Sequence, residues 1–362
     1  MRYLFYFVHP SKFYVFRNSI NALKSKGHHV DVIVISKDML AELVEKEGWE
    51  YTNLFPKGRK MKGVSAYISS GINFFITIWR LWKYTRNKNY DLFITDDLLV
   101  FIGKLRKIPT FTFIDSDLKA IKQFSIILKM TDFVIAPDIT NLEKYNAKKI
   151  AYKGYKELAY LHPNYFKPDI DIVKTFNPTL LPYFILRLVN FGAYHDVGMG
   201  GLSNENIKKL IGLLEKHGKV FITSERQLLN EFEKYRLTIN PLHIAHALYY
   251  AEIFIGDSQT MTSEAAVLGT PAFRCNDFVG LLSVMEEKEK RYGLSFNYLP
   301  KQFNEMYAKI AELLSIPNFK KKFEDKKNKM LEEKIDLSAF LLELFESFPI
   351  TINHYRDKYL KR

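Results

Sequence analysis

Short apolar runs alternate with longer helical patterns along almost the whole chain. In the first half, residues 3–8, 30–35, 92–95, 110–114 and 133–136 form runs rich in Val, Ile and Phe, bounded by polar, Gly or Pro positions. Runs of that length and content predict buried strands. Helical patterns lie between them. Residues 15–25, for example, predict a helix stopping at Gly27, a common C-terminal stop. Strands separated by helices predict right-handed βαβ units and a parallel sheet.

The pattern loosens over residues 153–182, where Pro163, Pro168, Pro178 and Pro182 stand among aromatics without clean periodicity. It then restarts. Strands are predicted at 184–191, 220–223, 253–256 and 272–274, and helices at 204–217, 241–251 and 261–268. The expected organisation is a Rossmann-like domain over 1–165, a second over 166–335, and a C-terminal helix in 336–362 crossing back to the first. Within residues 319–334 the dense mixture of Lys and Glu predicts a solvated helix laced with opposite charges.

A length of 362 residues exceeds one simple core, in keeping with two domains. The 47% hydrophobic content excludes a disordered or fibrous chain. One cysteine, Cys275, forms no internal disulfide, which points to a reducing compartment and a cytoplasmic setting. The opening MRYLFYFVHPSKF reads as a first strand rather than a signal peptide. The formal charge of +13 is uneven. Residues 1–165 hold 26 Lys and Arg against 15 Asp and Glu, and the remainder 27 against 25. Such an asymmetry concerns what the first half touches: nucleic acid, an anionic membrane surface or an acidic substrate.

The most informative chemistry lies in residues 253–274, IFIGDSQTMTSEAAVLGTPAFR. A buried strand ending at Gly256 is followed by a polar turn and then directly by a helix that stops at Gly269. Ligands of open parallel sheets bind at the carboxyl ends of strands. A helix starting there offers unpaired N–H groups and a positive dipole end, both suited to phosphate. Ser258 and Thr260 add hydroxyls. Glu264, one turn deeper on the same face as Thr260, is placed to accept from a ribose diol. Ser, Asp and Thr before a helix are also ordinary N-caps, so each residue alone has a bland reading.

This stretch resembles the nucleotide-sugar site of GT-B-type proteins, particularly the non-hydrolysing UDP-N-acetylglucosamine 2-epimerases and related glycosyltransferases. Their Asp-Ser-Gly-Gly, Glu-Glu-Ala and Leu-Gly-x-Pro pattern is echoed by Asp257-Ser258, Glu264-Ala265 and Leu268-Gly269-Thr270-Pro271. Gln259 and Thr260 stand where the pattern has two glycines. By resemblance, Ser258 meets the diphosphate and Glu264 the ribose hydroxyls, with Gln259 and Thr260 counted among the nucleotide-sugar-binding residues. Over nearly its full length the chain resembles an uncharacterised archaeal and bacterial domain-of-unknown-function family assigned to the GT-B group. The resemblance rests on YKGYKELAYL (152–161), Ala193-Tyr194-His195-Asp196, ITSE (222–225), the GDSQTMTSEAAVLGTPA segment and IDLSAF (335–340). It implies an α/β, GT-B-type fold: two Rossmann-like parallel-sheet domains facing a cleft.

Other residues join the candidate site. His195 lies in NFGAYHDVGMGGLS, whose four glycines permit close backbone approach. The epimerases carry a substrate-binding His at a similar place, in a His-Arg-Arg-Glu-Asn motif absent here. His243 and His246 are spaced i, i+3, but no third metal ligand accompanies them, so no metal and no cofactor are expected. By resemblance the start of that helix borders the nucleobase, with Ile244 as a packing partner. Asp96-Asp97 follow one predicted strand, and Asp115 with Asp117 follow the next. Carboxylates there can act as general base toward an acceptor hydroxyl. Asp96 and Asp115 best match the positions of the epimerase acid/base residues, and His9 competes as base with a favourable intrinsic pKa.

In the segment 57–88, Lys57, Arg59, Lys60 and Lys62 precede an uncharged stretch, and Arg80, Lys83, Arg86 and Lys88 follow it. It reads either as a helix packed on the first sheet or as a basic, aromatic face seated on an anionic membrane.

These observations lead to a glycosyltransferase with a nucleotide-sugar donor, UDP-linked, in surface-glycan or polysaccharide biosynthesis, working without an obligatory metal. An anionic or lipid-linked glycan acceptor and peripheral contact with the inner face of the membrane complete the expectation. A UDP-N-acetylglucosamine 2-epimerase-like activity is the alternative. Non-catalytic nucleic-acid binding is a third class that no motif supports.

Overall fold

The computed structural model describes residues 1–35, 40–56, 58, 66–190 and 200–348. The chain divides into two compact units, Met1–Tyr160 with Ile335–Arg362, and Leu161–Lys334.

The first unit is built on seven strands: β1 (Arg2–Phe7), β2 (His29–Val34), β3 (Thr52–Asn53), β4 (Leu92–Thr95), β5 (Thr110–Phe113), β6 (Phe133–Pro137) and β7 (Lys149–Tyr152). Their order is β3-β2-β1-β4-β5-β6-β7, with every pairing parallel. Helices cover both faces of such a sheet, so its strands bury both sets of side chains. Tyr3–Phe7, Leu92–Thr95 and Thr110–Phe113 are accordingly buried throughout, which is why they read as continuous apolar runs. The edge strand β7 alternates instead, burying Ile150 and Tyr152. Four residues of alternation are too short to declare a strand in advance.

The first helix spans Pro10–Ser25, five residues earlier than the periodicity indicates. Pro10 favours this start, because the first turn needs no N–H and proline's φ is already helical. The C-terminal helix Leu337–Glu346 packs on Pro10–Ser25 within this unit. Phe345 meets Phe5 and Phe16 at ring distances of 5.8 and 6.2 Å, and Ser338 Oγ donates to the Ala159 carbonyl at 2.6 Å.

The second unit holds β8 (Tyr183–Leu188), β9 (Lys219–Ser224), β10 (Ile253–Gly256), β11 (Ala272–Cys275) and β12 (Ser295–Tyr298). Their order is β12-β11-β10-β8-β9, again all parallel. Strand β8 ends at Leu188, three residues before the expected end, and the predicted site residue His195 lies outside the described residues. Gly256 is required by packing: a Cβ there would lie 2.7 Å from the Arg187 carbonyl oxygen of the adjacent strand. The charged segment forms a helix over Phe319–Glu333 that buries Phe319, Phe323 and Met330.

Each sheet has one point where the chain reverses its direction of strand addition. In the first unit it lies between β1 and β4, and in the second between β8 and β10. Loops leaving two such strands diverge to opposite faces of the sheet, which opens a crevice at their carboxyl ends.

Candidate functional site

In the second unit, the candidate phosphate segment begins at that reversal point. Asp257 closes it: its Oδ1 accepts from the Val189 N–H at 2.7 Å, joining the ends of β8 and β10, and Asn276 Nδ2 donates to its carbonyl at 2.8 Å. Burial pushes the Asp257 carboxyl up to about 6, against the opposing pull of the Val189 N–H and of Arg226. The folded protein therefore holds this proton more tightly than the unfolded chain. The associated stability is complete below pH ~4 and lost as pH rises through the folded value near 6. Asp257→Asn mimics the protonated form. Relative to the parent it is expected to gain about 2–3 kcal/mol between pH 4 and pH 7, read from denaturant midpoints at both pH values. An unchanged difference between the two pH values would show that Asp257 titrates normally.

Ser258 caps the helix Gln259–Leu268, its Oγ accepting from the Met261 N–H at 3.3 Å. The cap uses one oxygen lone pair and leaves the hydroxyl proton available to a ligand. Gln259 and Thr260 are half-buried at the first two helical positions, where backbone N–H groups have no intrahelical acceptor. Glu264 is buried one turn further along. Gly269 ends the helix with φ +83°, a conformation that favours glycine.

Arg274 adds a feature that local reading misses. It pairs in register with Gly256, is fully buried, and none of its three guanidinium nitrogens finds a hydrogen-bond partner among the described residues. Burial lowers its pKa to about 10, with Glu286 and Glu289 pulling the other way. The only advance sign was an arginine at the end of an apolar strand. At the edge of β9, Glu225 of the ITSE segment pairs with Arg187 and accepts from the Asn190 N–H.

Ile244 is half-buried at the start of the helix Ile244–Tyr250. Its neighbour His246 is engaged structurally: Nδ1 accepts from the Asp169 N–H at 3.0 Å, and the ring meets Phe166 at 4.9 Å. Burial, then His243, lowers the His246 pKa, in keeping with a neutral acceptor. Among the described residues, no group of three or more His, Cys, Asp or Glu could hold a metal ion.

In the first unit, Asp96 follows β4 and Asp115 follows β5. Their environments are opposite. Lys12, from the first helix, places Nζ 3.9 Å from Asp96 Oδ2 and donates to the Phe113 carbonyl at 3.2 Å. Asp96 Oδ1 is buried and makes no hydrogen bond among the described residues. Burial raises the Asp96 carboxyl to about 6, Lys12 opposes, and Asp97 adds to the rise. For Asp115, burial also acts upward, but Lys156 at 2.7 Å and then Lys12 outweigh it and hold the carboxyl well below the usual range. Lys156 comes from the segment after β7, beside the buried Glu157 at 4.0 Å.

The structure thus gathers Lys12, Asp96, Asp115 and Lys156 at one edge. Lys12 and Lys156 were missed because nothing local distinguishes them from other lysines. His9 caps the first helix through Nδ1, which accepts from the Ser11 N–H at 3.2 Å. Asp117 likewise accepts from the Asn141 N–H at 2.9 Å.

Two units of parallel sheet, each with polar side chains at the carboxyl edge of its reversal point, define a protein of the GT-B fold. The chain belongs to the family described as "Protein of unknown function (DUF354)", which matches residues 13–292. No curated protein sequence matches it. Among solved structures, the UDP-GlcNAc 2-epimerase from Neisseria meningitidis bound to UDP-GlcNAc is similar at TM-score 0.64 and 14% identity, covering 96% of this chain and 100% of its own. The S. aureus MnaA–UDP co-structure is similar at 0.66 and 12%, covering 96% and 97%. The glycotransferase of kitacinnamycin is similar at 0.60 and 11%, covering 95% and 98%. At these identities the likeness is one of fold.

Proposed function

We propose that the protein is a glycosyltransferase that takes a nucleotide sugar, UDP-linked, as donor and an anionic or lipid-linked glycan as acceptor, in surface-glycan or polysaccharide biosynthesis. The second unit binds the donor. The Ser258 hydroxyl and the N–H groups of Gln259 and Thr260 receive the diphosphate, and Glu264 the ribose. Charge developing on the leaving diphosphate is met by the dipole of the helix Gln259–Leu268. The base is assigned to Asp96 of the first unit, which takes the proton of the acceptor hydroxyl; the bond formed at the anomeric carbon replaces the bond to the nucleoside diphosphate, which leaves.

The observation that carries this reading is the splitting of the two carboxylates. Asp96, poised near 6, suits a general base at neutral pH, whereas Asp115 is held ionised by Lys156. Transfer needs one base. The alternative, 2-epimerisation by elimination and re-addition of UDP, is favoured by the presence of two carboxylates on adjacent strands, but it needs both to exchange protons.

Calorimetric titration across nucleotides tests the donor site. UDP is expected to bind, and Glu264→Ala to weaken it about 10–100-fold, the effect of losing hydrogen bonds to a charged group. Failure of every nucleotide to bind, or an unchanged affinity in the variant, would remove the assignment. Incubation with UDP-N-acetylglucosamine alone separates the two reactions, since conversion to the manno epimer without acceptor means epimerisation.

A further inference from the structure

The helix Ala66–Thr85 of the first unit has one face in the core and a second, equally apolar face outside it. Leu81 is buried, and Phe74, Ile76, Ile78 and Tyr84 pack on the core cluster. Beside them, on the outward side, stand the exposed Ile72, Phe75, Trp79 and Trp82, separated by three, four and three residues, so they form a single stripe. Phe75 is 72% exposed and Trp79 56%. The helix packed beside it, Leu99–Arg106, leaves Leu105 68% exposed between the exposed Lys104 and Lys107. Isolated apolar residues on a surface are ordinary, but an aligned row of large ones marks an interaction surface.

Charge identifies the occupant. Between Glu50 and Asp91 the chain contains eight Lys and Arg and no acidic residue. The cations at the end of the helix lie on the aromatic rings themselves. Lys83 Nζ is 5.3 Å from the Trp79 ring centre, the Arg86 guanidinium 5.2 Å from that of Trp82, and Lys88 Nζ 3.8 Å from that of Tyr84. Tryptophans with an apolar body and a polar N–H, set beside lysine and arginine, match the boundary between lipid headgroups and acyl chains. No helix among the described residues is long and apolar enough to cross a membrane, so this helix would lie along a bilayer rather than span it.

We infer that this face docks on an anionic lipid bilayer, with Ile72, Phe75, Trp79 and Trp82 entering the headgroup boundary and Lys83 and Arg86 meeting lipid phosphates. The inference stands whatever reaction the protein catalyses, because it uses none of the candidate site residues.

Flotation of the full chain tests it with two vesicle populations, phosphatidylcholine alone and phosphatidylcholine containing phosphatidylglycerol. The protein is expected to float with the anionic vesicles and to be released by high salt. Lys83→Ala with Arg86→Ala is expected to lower the partition coefficient about 30-fold, the combined effect of two cations near an anionic surface. Phe75→Ser with Trp79→Ser is expected to lower it by about tenfold or more. A second readout needs no variant. Trp49 is buried, its Nε1 donating to Asn21 at 2.7 Å, so a blue shift of tryptophan emission on anionic vesicles reports Trp79 and Trp82. Equal recovery on both vesicles, recovery on neither, or no emission shift overturns the inference. So does a concentration-dependent dimer abolished by Phe75→Ser, which would mean that the stripe covers a second copy of the chain.

Discussion

Replacing Asp96 by asparagine is expected to lower turnover by roughly 10²–10⁴-fold, the usual contribution of a positioned general base, while leaving UDP affinity unchanged. The buried Oδ1 of Asp96 has no hydrogen-bond partner among the described residues, so its lone pairs are uncommitted. Burial raises the carboxyl to about 6, which makes it a stronger base than an ordinary aspartate while it remains ionised at neutral pH. Activity of the parent should therefore rise with pH through a limb near 6, and Asp96→Asn should abolish that limb together with the rate. The asparagine resembles the protonated carboxyl, so the fold is expected to hold. The measurement is kcat/KM against pH, with the donor identified by titration and an acceptor. Full activity in the variant would assign the base elsewhere.

Lys156→Met is expected to destabilise the protein by about 3 kcal/mol at pH 7, the lower end of the range for breaking a buried pair, because both side chains keep some exposure. The methionine roughly preserves the volume of the lysine stem, so the loss is electrostatic. Asp115 then has Lys12 and a backbone hydrogen bond to offset its burial. The sign with pH follows from its depressed folded pKa. The stability it contributes in the parent is present above pH ~4 and disappears as pH falls through the folded value, well below the usual range. The difference between Lys156→Met and parent should therefore shrink in acid. Adding Asp115→Asn should recover much of the loss at pH 7, because no uncompensated charge is left behind. Denaturant midpoints at pH 7 and pH 3 for the two single variants and the double variant measure all of this. Additive losses would show that the pair at 2.7 Å carries no coupling.

How much of the molecule could be read in advance depended on how local its cause was. Strands such as Leu92–Thr95 and Ile253–Gly256 announce themselves because both faces are buried and every side chain must be apolar. The short edge strand β7 does not, and the first helix begins at a proline that periodicity passes over. The same distinction runs through the candidate site. The turn at Ser258 and the helix after it are one contiguous stretch, so their capping and their Gly269 stop follow from neighbouring residues.

The cluster in the first unit has no such signature. Lys12, Asp96, Asp115 and Lys156 come from four separate segments, and only the parallel order β1-β4-β5-β6-β7 brings them to one edge. The tertiary structure alone also separates two aspartates with the same intrinsic chemistry. Burial prevails at Asp96, whereas at Asp115 Lys156 at 2.7 Å and Lys12 together outweigh it, and position in the chain encodes neither arrangement. The sequence by itself determined the alternation of strand and helix, the capped turn at Ser258 and the basic first half. Those depend on residues near one another or on simple counts. Which carboxylate burial raises to about 6, which histidine caps the first helix, and which side of the helix Ala66–Thr85 faces outward were decided by packing, because each depends on groups that only folding brings together.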